Sequence, residues 1–319
     1  MGSGIEEGIP QWAILAAMRV QIVTNPNAGR GRGAQQVSAV VESLTSRGHI
    51  AIDQPITRLM DRSTGEPDPD GFDVLVIAGG DGTIRAMLRR ALARAIPIYH
   101  LPTGTENLFA REFGMSADPG DVVEAIEAGV IRAVDVGVCD SSPFALMCSI
   151  GPDAGVIHRL VRTWTGPISH RSYVRPILAE IARPHLPRVS VCADGQRVVE
   201  EQRGLLVVAN CRQYGFRLDP ARRASMSDGL LDLVFMPCRS STGALRWAAR
   251  ARLGTHERDH RIVHLTATRF ELSWDDPRGL YQVDGEAAAA TIVDGRASMV
   301  VGIRPGVLRV LMPANHTPA

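Results

Sequence analysis

The sequence predicts two domains of different class: a doubly wound α/β domain over residues 19–134, followed by a mainly antiparallel, β-sandwich-like domain from residue 135 onward. Three observations carry this expectation. The first third alternates short β-rich runs with helical patterns, as a parallel sheet with crossover helices requires. After about Val134, β-type runs follow one another with few helices between them. Glycine-rich loops separate strand from helix three times in the first part and set its rhythm.

In chain order, residues 19–24 (RVQIVT) read as a strand, followed by the loop NPNAGRGRG and a helix through about Leu44. A second strand is expected over 50–56. DVLVIAGG, from Asp73, is a continuous apolar run typical of a strand buried on both faces. TIRAMLRRALAR then carries Ile84, Met87, Leu88 and Leu92 at helical spacing. IPIYHLP, from Ile96, supplies another strand and ENLFAREFG another helix start. Residues 61–71 read as a surface connection. In the second part, two strands flank an Asp194-Gly195 hairpin turn. Further β-type runs occur at LLDLVFM, RIVHLTATRFEL, GLYQV and ASMVVGI, and helical pattern is confined mainly to 157–182 and 242–253.

The composition narrows the chemistry. With 319 residues, 45% hydrophobic and 22% charged, the chain is long enough for two cores. A formal net charge of +1 argues against nucleic-acid binding through bulk charge. All 35 basic residues are arginine. No P-loop lysine, protein-kinase lysine or Schiff-base lysine is available, so a phosphate must be held by backbone N–H groups, hydroxyls, arginine or a metal. The five cysteines are scattered without zinc spacing and read as small buried hydrophobes of a reducing compartment. The apolar stretch from Ile9 to Met18 is interrupted by Gln11 and preceded by Glu6 and Glu7, unlike a secretory signal. A cytoplasmic protein is expected, touching membranes only from the surface.

Three loops carry chemistry. GGDGT (Gly79 to Thr83) lies between a buried strand and a helix, where glycine permits close backbone approach and a helix start offers unpaired N–H groups to phosphate. Asp81 places a carboxylate there, to bind Mg²⁺ or orient a hydroxyl; alternatively it is the helix N-cap. PTGTEN (Pro102 to Asn107) and NPNAG (Asn25 to Gly29) also follow strands, and such loops line one edge of the sheet, where doubly wound folds bind ligands.

NPNAG, GGDGT and PTGTEN, in that order, resemble the nucleotide-site motifs of the diacylglycerol kinase catalytic-domain family, which includes sphingosine-kinase-like lipid kinases. SIGPDAGVI (Ser149 to Ile157), SDGLLDL (Ser227 to Leu233) and VDGE (Val283 to Glu286) are similar to its later motifs, so the resemblance covers residue 19 to about 312. It implies an ATP-dependent lipid kinase acting on diacylglycerol or a sphingoid base at a membrane surface, with Mg²⁺ and without nucleic acid; a homodimer is left open. Asn25, Gly29, Thr57, Gly79, Gly80, Asp81, Gly82, Thr83, Thr105 and Asn107 would then serve ATP. Asp284, Glu286 and Asp81 would be the catalytic carboxylates. Asp153 and Asp135 would lie near the lipid headgroup, and Ser225, Asp228 and Leu230 would form a Mg²⁺ site. The family pattern also implies that residues 304–315 return to complete the first domain, leaving 135–303 as the second. Ala28, Leu108 and Pro152 depart from the family's usual residues.

The acceptor's proton would pass to Asp284, Glu286 or Asp81, with the DGE pair preferred. Arg85 and Arg111 are placed to reach phosphate or to form surface ion pairs. Segment 242–253 either lies on a membrane through Leu245, Ala249, Leu253, Arg246 and Arg250 or packs on the second domain. Two alternatives are an NAD-kinase-type enzyme and a catalytically silent binding protein of the same fold.

Overall fold

The computed structural model of the chain describes residues 17–26, 32–60, 71–166 and 168–314. The first elements are β1 (Arg19–Thr24), α1 (Arg32–Ser46), β2 (Ile50–Pro55), α2 (Ile56–Met60), β3 (Val74–Gly79) and α3 (Asp81–Arg94). Next come β4 (Ile98–Pro102), α4 (Leu108–Phe113), α5 (Pro119–Ala128), β5 (Ile131–Cys139), β6 (Ser142–Phe144) and β7 (Met147–Ile150). The chain continues through α6 (Pro152–Thr163), α7 (Val174–Ala182), β8 (Arg188–Ala193), β9 (Gln196–Ala209), β10 (Leu231–Pro237) and α8 (Ser241–Arg252). It closes with β11 (Val263–Ala267), β12 (Arg269–Trp274), β13 (Leu280–Val283), β14 (Glu286–Ala289), β15 (Thr291–Val293) and β16 (Arg296–Leu311).

In the first lobe, β2, β1, β3 and β4 lie side by side in that order, all parallel. Every residue of β3 is buried, as a strand covered on both faces must be. Ile84, Met87, Leu88 and Ala91 form the buried face of α3, and Val37, Val40 and Leu44 that of α1, each at the three-to-four spacing of an amphipathic helix. The strands therefore all deliver their C-terminal ends, with the loops that follow, to one edge.

The second lobe is a β-sandwich. β9 pairs with β8 over its first half and with β7 and β10 over its second, so it belongs to both sheets. One sheet continues through β12, β16 and β5; the other through β10–β11 and β7–β13–β14. Phe235, Phe270, Trp274, Val283 and Met299 fill the space between them. β16 serves both lobes. Its first part pairs with β12 and the second half of β5. After an irregularity between Arg304 and Leu308, it pairs with the first half of β5 and touches β4 in parallel at Val310–Ile98.

Several expectations change in detail. The 134/135 boundary falls inside β5, because β5 is one continuous partner of β16. The helical stretch 157–182 is two helices, α6 and α7, separated near Trp164 to Tyr173. RIVHLTATRFEL is two strands in different sheets, since β11 joins β10 whereas β12 joins β8 and β16. Cys192 is half-buried, unlike the other four cysteines, and all five are free. Among the described residues, no helix is long and apolar enough to cross a membrane.

Candidate active site

A cleft of about 840 Å³ separates the lobes, lined on one side by the strand-end loops and on the other by residues from 146 onward. Gly80, in extended conformation, precedes α3, and Asp81 is the first helical residue. The Asp81 carboxylate does not cap α3. Its Oδ1 accepts from Phe109 N at 3.0 Å, at the start of α4, and so ties the second loop to the third. Asn107, at a left-handed φ of 51°, folds its amide back on the TGT loop: Oδ1 accepts from Gly104 N at 2.9 Å and Nδ2 donates to Gly104 O at 3.0 Å. Asn25 Nδ2 donates to the buried Thr83 Oγ1 at 3.1 Å, linking the first loop to the second. Gly80 and Gly104 face each other so closely that a Cβ on Gly104 would lie 2.5 Å from the Gly80 Cα. The polar side chains thus knit the loops together and leave glycine backbone on the cleft surface.

From the other side comes a two-residue hairpin. Asp284 (φ 49°) and Gly285 (φ 80°) are both left-handed between the paired Val283 and Glu286, the geometry that Asp-Gly supplies in a type I′ turn. Its two carboxylates have opposite surroundings. Asp284 is 6% exposed, and both its oxygens are engaged by backbone: Oδ2 by Ala145 N, Oδ1 by Leu146 N and Met147 N, at 2.8–3.0 Å. Burial raises its pKa to about 6, against the opposing pull of the three amides and Arg85. Asp284, expected to be catalytic, thus lines the cleft with both oxygens tied to the β6–β7 loop. Glu286 is free of such ties. Its side chain is half-exposed, Oε2 lies 3.3 Å from Arg85 Nε, and Oε1 abuts Gly82 of the opposite lobe. The cleft walls push its pKa up, with Arg85 opposing. Arg85 also donates to Val283 O, and Arg111 donates to Gln213 Oε1 at 2.7 Å while pairing with Glu106. These two arginines are ties between elements rather than free cations.

Deeper in the cleft, Asp153 Oδ2 accepts from Ser149 Oγ and Tyr214 OH, with Gln282 Nε2 at 3.5 Å. Its Oδ1 is buried without a partner among the described residues. Burial raises the Asp153 pKa, opposed by the two hydroxyl donors, and raises that of Tyr214 far above the phenolic range, with Asp153 adding to the shift. Val156, Ile157, Ile168, Tyr173, Ile177 and Phe216 make the adjoining wall largely apolar. Tyr214 and Gln282 escaped the sequence reading, because neither sits in a motif; only the fold brings them to Asp153.

Other expected site residues lie elsewhere. Thr57 is exposed on α2, and its neighbour Ile56 lines the cleft instead. Asp135 is buried away from the cleft, where Oδ2 accepts from Gly229 N and Oδ1 from Gly306 N, both at 2.8 Å; it fastens the DGLL turn to the β16 irregularity. Ser225, Asp228 and Leu230 do share one turn, but Asp228 is exposed and its Oδ1 accepts from Leu230 N at 3.1 Å. Beside them Arg132 donates to Ser227 Oγ at 2.8 Å. The turn thus offers one carboxylate, one hydroxyl and one carbonyl beside a guanidinium. Gly29 and Ala28 lie outside the described residues.

A cleft with glycine loops at parallel strand ends on one wall and an acidic hairpin on the other defines a two-lobed phosphotransferase. Residues 19–139 match the diacylglycerol kinase catalytic domain and residues 147–312 the YegS C-terminal NAD kinase beta sandwich-like domain. The chain belongs to the diacylglycerol kinase family of lipid kinases. It is 27% identical to a diacylglycerol kinase of Mycobacterium tuberculosis, over 93% of this chain and 96% of that one. To a diacylglycerol kinase of Bacillus subtilis it is 25% identical, over 84% and 89%. A diacylglycerol kinase structure from Bacillus anthracis shares the fold, with a TM-score of 0.65 at 17% identity over 94% of this chain and 98% of that chain.

Proposed function

We propose that the protein transfers the γ-phosphoryl group of ATP to the hydroxyl of a lipid such as diacylglycerol or a sphingoid base, at the surface of a membrane. The observation that carries this is the reach of Glu286 across the cleft to Gly82, between glycine loops suited to a triphosphate and an apolar wall suited to acyl chain.

The backbone N–H groups of Gly80, Asp81, Gly82 and Thr105 hold phosphate oxygens, one of the few means open to a chain without lysine. Asp153 lines the cleft at the polar end of the acceptor, and Tyr214 and Ser149 hold its carboxyl in place. Glu286 accepts the hydroxyl proton as the acceptor oxygen bonds to the γ-phosphorus and the bond to the bridging oxygen breaks, releasing ADP. Of the three expected bases, Asp284 has both oxygens occupied and Asp81 gives Oδ1 to the start of α4, whereas Glu286 is half-exposed with Arg85 beside it. Mg²⁺, when bound with the nucleotide, would supply charge neutralisation, and Asp81 is the carboxylate of the glycine loops that would hold it.

Incubation with labelled ATP and a panel of dispersed lipids tests the reading. Label is expected in one lipid class with the parent and lost by about 10²–10⁴-fold with Glu286→Gln. Absence of label from every lipid, with ATP bound, would favour the catalytically silent protein; label in a dinucleotide would favour the NAD-kinase type.

A further inference from the structure

Apart from the active site, the second lobe carries a pocket of about 920 Å³ between the start of β8, the bend of β9, the β10–α8 turn and α8. Its lining includes Arg188, Arg203, Arg239, Arg246 and Arg261 against one carboxylate, Glu201. That carboxylate is already engaged by Arg296 at 2.7 Å. Arg261 is fixed at the rim by Asp259 at 2.7 Å, and Arg203 by Leu186 O at 2.6 Å. Arg239 and Arg246 are exposed and have no carboxylate partner among the described residues. The floor is the ring of Trp247. Its Nε1–H donates to Pro237 O at 2.8 Å, and the guanidinium groups of Arg250 and Arg261 lie 5.2 and 5.3 Å from its centre. Asp259 compensates the two guanidinium groups on the ring, so the pocket's excess positive charge rests on Arg239 and Arg246, where a bound anion would be met by guanidinium N–H groups.

What lies beside the pocket selects the anion. On α7, Val174, Leu178 and Ile181 are 55%, 61% and 36% exposed. They recur at i, i+4 and i+7, forming one apolar stripe about 10 Å long. It starts beside Tyr173, in the cleft lining, and ends where Ser241 Oγ of α8 donates to Ile181 O. One turn further, Leu245 is 46% exposed next to Arg246. An apolar track therefore joins the cleft rim to the arginine pocket. We infer that this pocket binds the phosphate of an anionic phospholipid headgroup, with the α7 stripe and Leu245 entering the acyl region beside it. The choice of phospholipid over a soluble anion rests on the lipid kinase reading; the pocket's charge does not. Segment 242–253 does both things expected of it as alternatives: Trp247 and Ala251 bury one face and Arg250 is paired with Asp259 at 2.6 Å, while Leu245, Arg246, Ala249 and Leu253 stay exposed.

The test is sedimentation of the full chain, without nucleotide, with phosphatidylcholine vesicles containing or lacking phosphatidylglycerol. The parent is expected to bind only the anionic vesicles and to be released by salt. Arg239→Gln with Arg246→Gln should weaken partition about 30-fold, the effect of removing two surface-docked cations. Arg197→Gln with Arg269→Gln changes net charge equally on another face and should leave partition near the parent's. Equal losses in the two pairs, or none in the first, would overturn the site. So would binding of pyrophosphate in the pocket without vesicle partition, which would make it a soluble-anion site. Because no turnover is read, failure of the kinase reading leaves this result legible. A melting temperature equal to the parent's in the first pair would show that it remains folded.

Discussion

Replacing Gly104 by alanine isolates the contact on which the nucleotide cradle depends. The residue does not have a left-handed φ, so alanine meets no backbone strain there. Its Cβ, however, would lie 2.5 Å from the Gly80 Cα and 2.8 Å from Asn107 Oδ1. Ordinary contact begins near 3.4 Å, so the two loops must part by roughly 1 Å. Neither obstacle can rotate away: one is main chain, and the other is held at both ends by Gly104 itself. Overpacking of this kind costs about 1–3 kcal/mol. The same displacement misaligns amides meant to converge on phosphate, so ATP affinity should fall about tenfold to a hundredfold, at about 1.4 kcal/mol per tenfold. Gly215→Ala, also on the cleft wall but with nothing within 4 Å of its Cβ, should change neither quantity. Calorimetric titration with ATP and thermal unfolding read both. A Gly104→Ala protein with the parent's affinity and melting temperature would refute a cradle formed by contact between these loops.

Three further outcomes are expected. In a pH series of kcat/KM, the acid limb should lie above the ordinary glutamate range, because Glu286 must be ionised to take a proton and the cleft raises its pKa. Arg85→Gln should move that limb higher still, and a limb moving downward would exclude Glu286 as its source. Asp284 has a pKa of about 6 against 3.8, so the native state binds a proton the unfolded chain has lost. Stability present below pH 3.8 is then lost as pH rises through 6, by about 3 kcal/mol for this group. Asp284→Asn should abolish that slope while costing about 1–3 kcal/mol through an unmatched amide, and urea unfolding at several pH values would reveal a slope that persists. Tyr214→Phe should raise KM for the lipid more than it lowers kcat, since Tyr214 OH positions Asp153 without touching phosphate; steady-state kinetics showing the reverse would place it in the chemistry.

The alternating part of the fold was legible because each strand there is a short apolar run closed by a glycine loop, and β3 is apolar throughout. Helix α5 was equally signalled, by Asp118 at the cap, Pro119 behind it and Gly129 at the end, but this signal was overlooked. The division of RIVHLTATRFEL between two sheets was not legible, since nothing local marks a strand that changes partners. In the site, residue identity was readable and role was not. Asp284 and Glu286 stand two positions apart in one motif; only the amides of residues 145–147, more than a hundred positions away, tie both oxygens of one and leave the other open. Asp135 fails for the same reason, because its partners Gly229 and Gly306 are remote in sequence.

The double allegiance of β16 also governs how the molecule can be made. β4 has its parallel neighbour on one side only after Val310 arrives beside Ile98, more than two hundred positions later. Until then the first lobe emerging from the ribosome presents an unpaired strand edge, the form of surface that recruits foreign strands. Neither lobe is a self-contained segment, and a piece cut at residue 134 lacks both β16 and the second half of β5. Expression of the first lobe alone should therefore give aggregated material. Co-expression with a fragment carrying residues 135–319 should restore solubility by closing that edge in trans.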